Sequence, residues 1–182
     1  MLFISITNTE CRHDNVLVLG GMIVCTTDME DVIFRFKKSD TNDETEVRAN
    51  KTILSLASEV FKTQFFGSLP AGKVIPIEDS SVDAFKIFID ALYDVKVNYE
   101  EINFMLLGEI FFLAEKYQVD AVKVAITKNV RTREVNENDV LKVAKVSEAN
   151  NYLVEFADAL DVLCAKFVRS LSIDKLSELF SI

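Results

Sequence analysis

The 182-residue sequence has no tryptophan, a single histidine, five glycines and two prolines. So few glycines and prolines, with 49% apolar residues, exclude a disordered or low-complexity chain. A second histidine, a Gly-x-Ser-x-Gly nucleophile elbow and a glycine-rich phosphate loop are also missing. These absences remove the usual signs of a hydrolase or a nucleotide-binding enzyme. We therefore predict neither enzymatic activity nor a bound cofactor.

The three cysteines, Cys11, Cys25 and Cys164, are too few and too scattered for a disulfide framework. Cys11 and Cys25 together with His13 would supply three metal ligands, but a fourth is missing and the spacing fits no zinc motif. We therefore predict no metal site. Free cysteines suit a reducing compartment, and the apolar stretch at residues 16–25 is about half as long as a membrane-spanning helix. These features predict a soluble protein of the cytoplasm or the nucleus.

Acidic residues outnumber basic ones by 29 to 20, which gives a formal net charge of −9 at pH 7. This charge opposes binding to nucleic acid or to an anionic membrane. Fourteen phenylalanines and a mean hydropathy of +0.19 make the chain apolar for a soluble domain. We therefore expect part of its surface to bind another protein.

Residues 31–77 carry the signals of a small sheet with two short helices. The β-branched and aromatic residues 32–36, an acidic loop at 37–45 and an extended stretch at 46–49 predict a hairpin. Helices are predicted at 51–57 and 59–66, the second capped by Ser58 and ended by Gly67. A strand follows at 74–77, where Pro76 restricts it to the edge or end of a sheet.

The remainder of the chain is predicted to be helical. Ser80-x-x-Asp83 resembles a capping box that opens a strongly amphipathic helix. Residues 102–117 predict a helix that is apolar almost all round, where Glu109 and Glu115 serve structural roles, and a shorter helix follows at 119–130. The tail predicts a helical hairpin and a last helix at 173–180. An apolar stripe in this hairpin comprises Leu153, Phe156, Leu160, Leu163 and Phe167.

The N-terminal residues 1–27 allow two interpretations. Residues 2–7 and 16–25 have the composition of short strands, separated by a polar run, with Gly20-Gly21 as a turn or bulge. The alternative is a poorly ordered arm. The sequence alone does not decide between them.

The order of motifs from Asp31 onward resembles the BTB/POZ family. Residues 31–34 look like its opening Asp-Val-x-Phe strand, and residues 48–61 are similar to its Ala-His-Lys-x-x-Leu…Ser-x-x-Phe signature. Residues 75–79 resemble its next strand, and residues 113–119 its Ala-x-Lys-Tyr-x-Val helix end. The resemblance implies an α+β fold, in which a small sheet is flanked by a cluster of helices. It divides the chain into an arm (1–30), a BTB/POZ domain (31–130) and a helical extension (131–182) of the 3-box or BACK kind.

This resemblance also implies a protein–protein interaction module that homodimerises, often by exchanging an N-terminal element. Asp31, Val32 and Lys51 match positions near the dimer interface of zinc-finger-type members, where Asp31 and Lys51 correspond to a charged pair.

Many family members recruit cullin-3 and present substrates for ubiquitination. The resemblance places a cullin-binding groove at six residues: Phe61, Phe65, Phe66, Leu69, Ala71 and Tyr117. Leu69-Pro70-Ala71 aligns with the family's hydrophobic-x-Glu element, so the apolar anchor is kept whereas the acid is replaced by alanine. We therefore predict a cullin-3 adaptor whose substrate the sequence does not identify. The alternatives are a dimeric scaffold without cullin binding and a monomeric relative of the elongin C kind.

Overall fold

A computed structural model describes residues 16–19, 22–25, 30–37 and 44–172 of the chain. The strands in these ranges are β1 (Val16–Leu19), β2 (Met22–Cys25), β3 (Val32–Lys37), β4 (Glu44–Ala49) and β5 (Val74–Ile77). The helices are α1 (Lys51–Ala57), α2 (Glu59–Phe66), α3 (Val82–Leu92), α4 (Phe104–Lys116), α5 (Asp120–Thr132), α6 (Glu137–Ala149) and α7 (Val154–Ser170). The predicted α+β class is confirmed.

Strand β3 lies at the centre of a three-stranded sheet with the order β4-β3-β5. β4 pairs antiparallel with β3, which confirms the predicted hairpin, and β5 pairs parallel with β3 from the other side. Pro76 in β5 lies opposite Arg35. Since β5 is an edge strand, the missing N–H of Pro76 is tolerated there, as predicted.

Strands β1 and β2 form a separate antiparallel pair in which Val16 lies opposite Cys25 and Leu19 opposite Met22. This pair agrees with the strand interpretation of residues 16–25. The predicted strand at 2–7, most of the acidic loop and the last predicted helix at 173–180 lie outside the described residues.

Aromatic side chains from β3, α2, α3 and the end of α4 form the centre of the core. The rings of Phe34 and Phe85 are 4.7 Å apart. The ring of Tyr117 lies 4.1 Å from that of Phe61 and 5.6 Å from that of Phe88. All five side chains are buried. The large area that each one removes from water makes this cluster a main source of the domain's stability.

The start of helix α3 differs from the prediction. The residue that caps it is Ser81, whose hydroxyl accepts a hydrogen bond from the backbone N–H of Ala84 at 3.2 Å. The capping box predicted at Ser80 is therefore wrong by one residue, because the helix begins at Val82. In α2 the predicted cap is confirmed, since the Ser58 hydroxyl accepts from the N–H of Phe61 at 3.2 Å.

Other element boundaries also differ from the prediction, among them those of α5, which spans Asp120–Thr132 instead of 119–130. β4 begins at Glu44, two residues earlier than expected, where Arg35 contacts the carboxylates of both Glu44 and Glu46 at 3.1 Å across the hairpin. α4 begins at Phe104 instead of residue 102, because the Asn103 side chain caps it by accepting from the N–H of Leu106.

Helices α6 and α7 pack against each other and against α4 and α5. The ring of Phe156 in α7 stacks on Phe111 of α4 with 5.5 Å between centroids. Close approach is possible because α4 has a glycine at this point: a Cβ on Gly108 would lie 3.1 Å from both Asn150 and Phe156. Of the predicted stripe, Phe167 alone is only half-buried. The tail therefore extends the hydrophobic core of the preceding helices.

Candidate protein-interaction site

The predicted cullin-binding residues fall into a buried group and an exposed group. The side chains of Phe61, Phe65 and Tyr117 are at most 4% exposed. Phe61 stacks between the rings of Phe65, at 5.5 Å, and Tyr117, at 4.1 Å. The expected exposed groove is therefore wrong for these three residues, since they fill the space between α2, the sheet and the end of α4.

The outer side of α2 and the loop after it expose two large apolar side chains. Phe66 is 61% exposed and Leu69 is 92% exposed. We call this region the Phe66–Leu69 surface. It comprises these two residues and the other exposed residues of α2, which are Glu59, Lys62 and Thr63. Two large apolar side chains that are exposed three residues apart are candidates for contact with another protein.

Backbone contacts determine the shape of the loop that presents Leu69. The N–H of Gly67 donates to the carbonyl of Thr63 at 2.9 Å, and the N–H of Ala71 donates to the carbonyl of Gln64 at 2.7 Å. A Cβ on Gly67 would lie 2.3 Å from the Thr63 carbonyl oxygen, so only glycine allows this close approach. The loop thus turns back on α2 and leaves Leu69 uncovered.

Ala71 occupies the position at which the family's element has an acid. Its side chain is partly buried and packs against the core. The apolar anchor at Leu69 is therefore present on the surface, whereas the third position of the element, Ala71, offers no charge.

A second feature adjoins α2 and shares Glu59 and Thr63 with the Phe66–Leu69 surface. It is an open groove of about 600 Å³, lined by Glu59, Val60, Thr63, Gln64, Ile75, Pro76, Ile77, Lys116, Tyr117 and Gln118. The Ser58 hydroxyl donates to the Tyr117 carbonyl at 2.6 Å, which joins the start of α2 to the end of α4. Burial, and to a smaller extent the charge of nearby Asp79, raises the pKa of the Tyr117 phenol. The phenol is therefore neutral at physiological pH.

The predicted dimer-interface residues lie where β3 begins and β4 leads into α1. Val32 is fully buried, so its side chain contributes no surface. The Asp31 carboxylate accepts a hydrogen bond from the backbone N–H of Lys51 at 2.7 Å. The ammonium of Lys51 lies 5.8 Å from the centre of the Phe65 ring. Within one chain, the contact between Asp31 and Lys51 thus joins a side chain to a backbone group.

One apolar surface residue near this position was missed by the sequence reasoning. Leu56 of α1 is 64% exposed, while its neighbours Ile53 and Leu54 are buried. Helical spacing was the available signal, because positions 53 and 54 face the core and position 56 then falls near the opposite side.

The two glutamates that interrupt the apolar helix have structural contacts. Glu109 accepts a hydrogen bond from the backbone N–H of Ser81 at 3.0 Å, and Glu115 forms an ion pair with Lys123 at 2.9 Å. Within the described side chains, no group of histidine, cysteine and carboxylate residues is arranged to hold a metal. The considered ligands Cys11, His13 and Cys25 lie outside those side chains. No helix in the described ranges is long and apolar enough to cross a membrane.

Comparison with known families identifies the domain. The sequence profile of the BTB/POZ domain matches residues 24–134. The chain belongs to the BTB/POZ family. BTB/POZ domains are protein–protein interaction modules that generally self-associate, and they are typically not enzymes. The small sheet with its surrounding helices is thus a BTB/POZ fold.

Solved structures also match this BTB/POZ chain, 85 chains in all. One is the BTB domain of zebrafish PATZ1, which is 20% identical. The alignment covers 57% of this chain and 76% of the zebrafish chain, with a TM-score of 0.45. A search of curated proteins found no match.

Proposed function

We propose that this BTB/POZ protein forms a homodimer and acts as a substrate adaptor of a cullin-3 ubiquitin ligase, without enzymatic activity of its own. The observation that carries the proposal is the exposure of Leu69 beside Phe66 at the end of α2. Leu69 aligns with the apolar anchor of the family's cullin-binding element. A largely uncovered leucine next to a phenylalanine offers the apolar contact on which hot spots of protein interfaces depend.

The alanine at position 71 lowers the affinity that we expect for cullin-3. Losing one charged contact at an interface costs on the order of 1–3 kcal/mol, which weakens binding without abolishing it. We therefore expect this adaptor to bind cullin-3 more weakly than members that keep the acid. The same substitution supports the second candidate, a dimeric BTB/POZ scaffold that binds no cullin.

Homodimerisation is supported by the family's general tendency to self-associate and by the exposed Leu56 of α1. The proposed division remains an arm (1–30), a BTB/POZ domain (31–130) and a 3-box or BACK-like extension (131–182). The packing of α6 and α7 on α4 and α5 supports the extension as an attached part of the adaptor. We place the protein in the cytoplasm or the nucleus, where cullin ligases act.

The test measures binding of the purified chain to the N-terminal region of cullin-3. Leu69→Asp should abolish binding, because it puts a charge at the centre of the apolar contact. Val124→Asp is the matched control, since Val124 is 63% exposed and belongs to a different helix, α5. Ala71→Glu restores the missing acid and should tighten binding by about tenfold.

No binding of the wild type, and none of Ala71→Glu, would overturn the adaptor proposal and leave the scaffold. Light scattering tests the dimer independently. Leu56→Asp should shift the dimer toward monomer, and a monomeric wild type would favour the elongin C kind of relative.

A further inference from the structure

The Phe66–Leu69 surface lies in a basic part of an acidic chain. Residues 47–77 contain four basic residues and one acidic residue, although the whole chain has a net charge of −9. Two of the four are ion-paired, Arg48 with Glu46 at 3.3 Å and Lys62 with Glu59 at 3.0 Å. Lys62 lies one helical turn before Phe66 on the exposed side of α2, and Lys73 is exposed at the end of the loop that carries Leu69. Lys73 forms no ion pair with any carboxylate among residues 30–37 and 44–172. The occupant of this surface should therefore combine apolar and acidic side chains.

Helix α7 has an exposed side with that composition. Val154 and Val162 are 64% and 51% exposed, and Glu155, Asp158 and Asp161 are exposed around them. These five residues lie on the side of α7 that faces away from its buried stripe. The hydroxyl of Ser147 donates to the Asp161 carboxylate at 2.7 Å, which holds one acid in place. We call these five residues the α7 face.

We infer that the α7 face of one copy of this chain docks on the Phe66–Leu69 surface of a second copy. Each side presents two exposed apolar side chains, flanked by lysines on one side and by carboxylates on the other. In this contact the two apolar pairs are buried against each other, and the opposite charges meet at the rim. The lysines and carboxylates also favour one orientation of the two copies, because only there do the opposite charges meet.

This contact joins two different patches, so it is heterologous and leaves a free patch on each outer copy. Such a contact builds rings or open chains, unlike the proposed homodimer, in which identical surfaces meet. It does not depend on cullin-3 binding. Since both occupants cover Leu69, self-assembly and cullin-3 would exclude each other at this surface.

The test exchanges the charges on each side separately and then together. Lys62→Glu with Lys73→Glu reverses the basic side, and Glu155→Lys with Asp158→Lys reverses the acidic side. Sedimentation velocity over a wide range of concentrations measures the assemblies. The wild type should grow beyond the basal dimer as its concentration rises, and added salt should reverse this growth. Each reversed pair should weaken growth by at least about tenfold.

The chain that carries all four changes should regain growth, because the charges are again complementary. Circular dichroism checks that every variant is folded. A wild-type mass that never exceeds the dimer would overturn the inference, as would a four-change chain that fails to recover. In that case the surface serves another protein.

One variant distinguishes failure of the cullin-3 proposal from failure of the docking inference. Glu155→Lys with Asp158→Lys leaves the Phe66–Leu69 surface intact. This variant should bind the cullin-3 region at least as well as the wild type, because it no longer assembles through Leu69. If this variant assembles as the wild type does, the docking inference is wrong, whatever the variant's affinity for cullin-3. If the variant binds no cullin-3, only the adaptor proposal fails.

Discussion

The inner and outer sides of helix α2 differ in solvent exposure more than its sequence suggests. Phe65 and Phe66 are neighbours, yet Phe65 is 4% exposed and Phe66 is 61% exposed. Phe61 and Phe65 stack on each other in the core, whereas Phe66 and Lys62 face outward. The rotation of about 100° per residue in a helix separates them. A run of aromatic residues in a family motif can therefore serve stability and recognition at once.

The largest effect should follow from removing the inner side of α2. Phe61→Ala should lower the free energy of unfolding by about 3–5 kcal/mol, because it opens a cavity among the rings of Phe34, Phe65 and Tyr117. Urea unfolding followed by circular dichroism measures the change. A loss of less than about 1 kcal/mol would show that the core collapses around the cavity and that the inner side of α2 contributes little to stability.

A smaller loss should follow from Ser58→Ala at the start of α2. The substitution removes the cap on the N–H of Phe61 and leaves the buried carbonyl of Tyr117 without its donor. We expect a loss of about 1–3 kcal/mol in the free energy of unfolding. Ser68→Ala, at an exposed position in the loop after α2, is the matched control and should change little. Equal effects of the two substitutions would contradict the role given to Ser58.

Alkaline pH should lower the free energy of unfolding of the wild-type chain through Tyr117, which packs on the inner side of α2. Burial raises the pKa of Tyr117 above its ordinary value of 10.0. Since the folded pKa lies above the unfolded one, stability is fully present below pH 10 and is lost as the pH rises above it, because the unfolded chain ionises first. The loss amounts to about 1.4 kcal/mol for each pH unit in that range.

Urea unfolding at a series of pH values, with tyrosinate absorbance, measures this loss. Tyr117→Phe should flatten the dependence. Tyr93 and Tyr99, whose pKa values burial also raises, account for the part that remains. An unchanged slope in Tyr117→Phe would remove Tyr117 as the main cause.

The smallest effect on stability should come from the outer side of α2. Phe66→Ala and Leu69→Asp should each change the free energy of unfolding by no more than about 0.5 kcal/mol, because both side chains are mostly in water. The same variants should lose binding at the Phe66–Leu69 surface. If Phe66→Ala destabilises the domain as strongly as Phe61→Ala, the contrast between the two sides does not hold.

Much of the local structure follows from short-range patterns in the sequence. The bounds of α1 and α2, the cap at Ser58 and the edge position of Pro76 were predicted correctly because each depends on residues a few positions apart. The start of β4 was missed because it depends on Arg35 across the hairpin. The cap at Ser81 was missed because Ser80 beside it is an equally good capping residue.

The structure divides the residues that the family motif indicated into buried and exposed ones. The family motif indicated Leu69 and Phe66, which the structure places on the surface, and also Phe61, Phe65 and Tyr117, which it places in the core. A motif records which residues recur together, but it does not say whether a side chain faces a partner or its own sheet.

By itself, the sequence determined most of the helices and strands, the cap at Ser58 and the family, because periodicity, capping and motif order are written in neighbouring residues. The tertiary structure alone decided which side of α2 faces water and that Gly108 admits the tail against α4. It also decided that Lys62 and Lys73 are exposed on either side of Leu69 in the chain, while exposed carboxylates line α7. These features depend on where distant segments pack, and side chains can be assigned to core or surface only when the elements around them are in place.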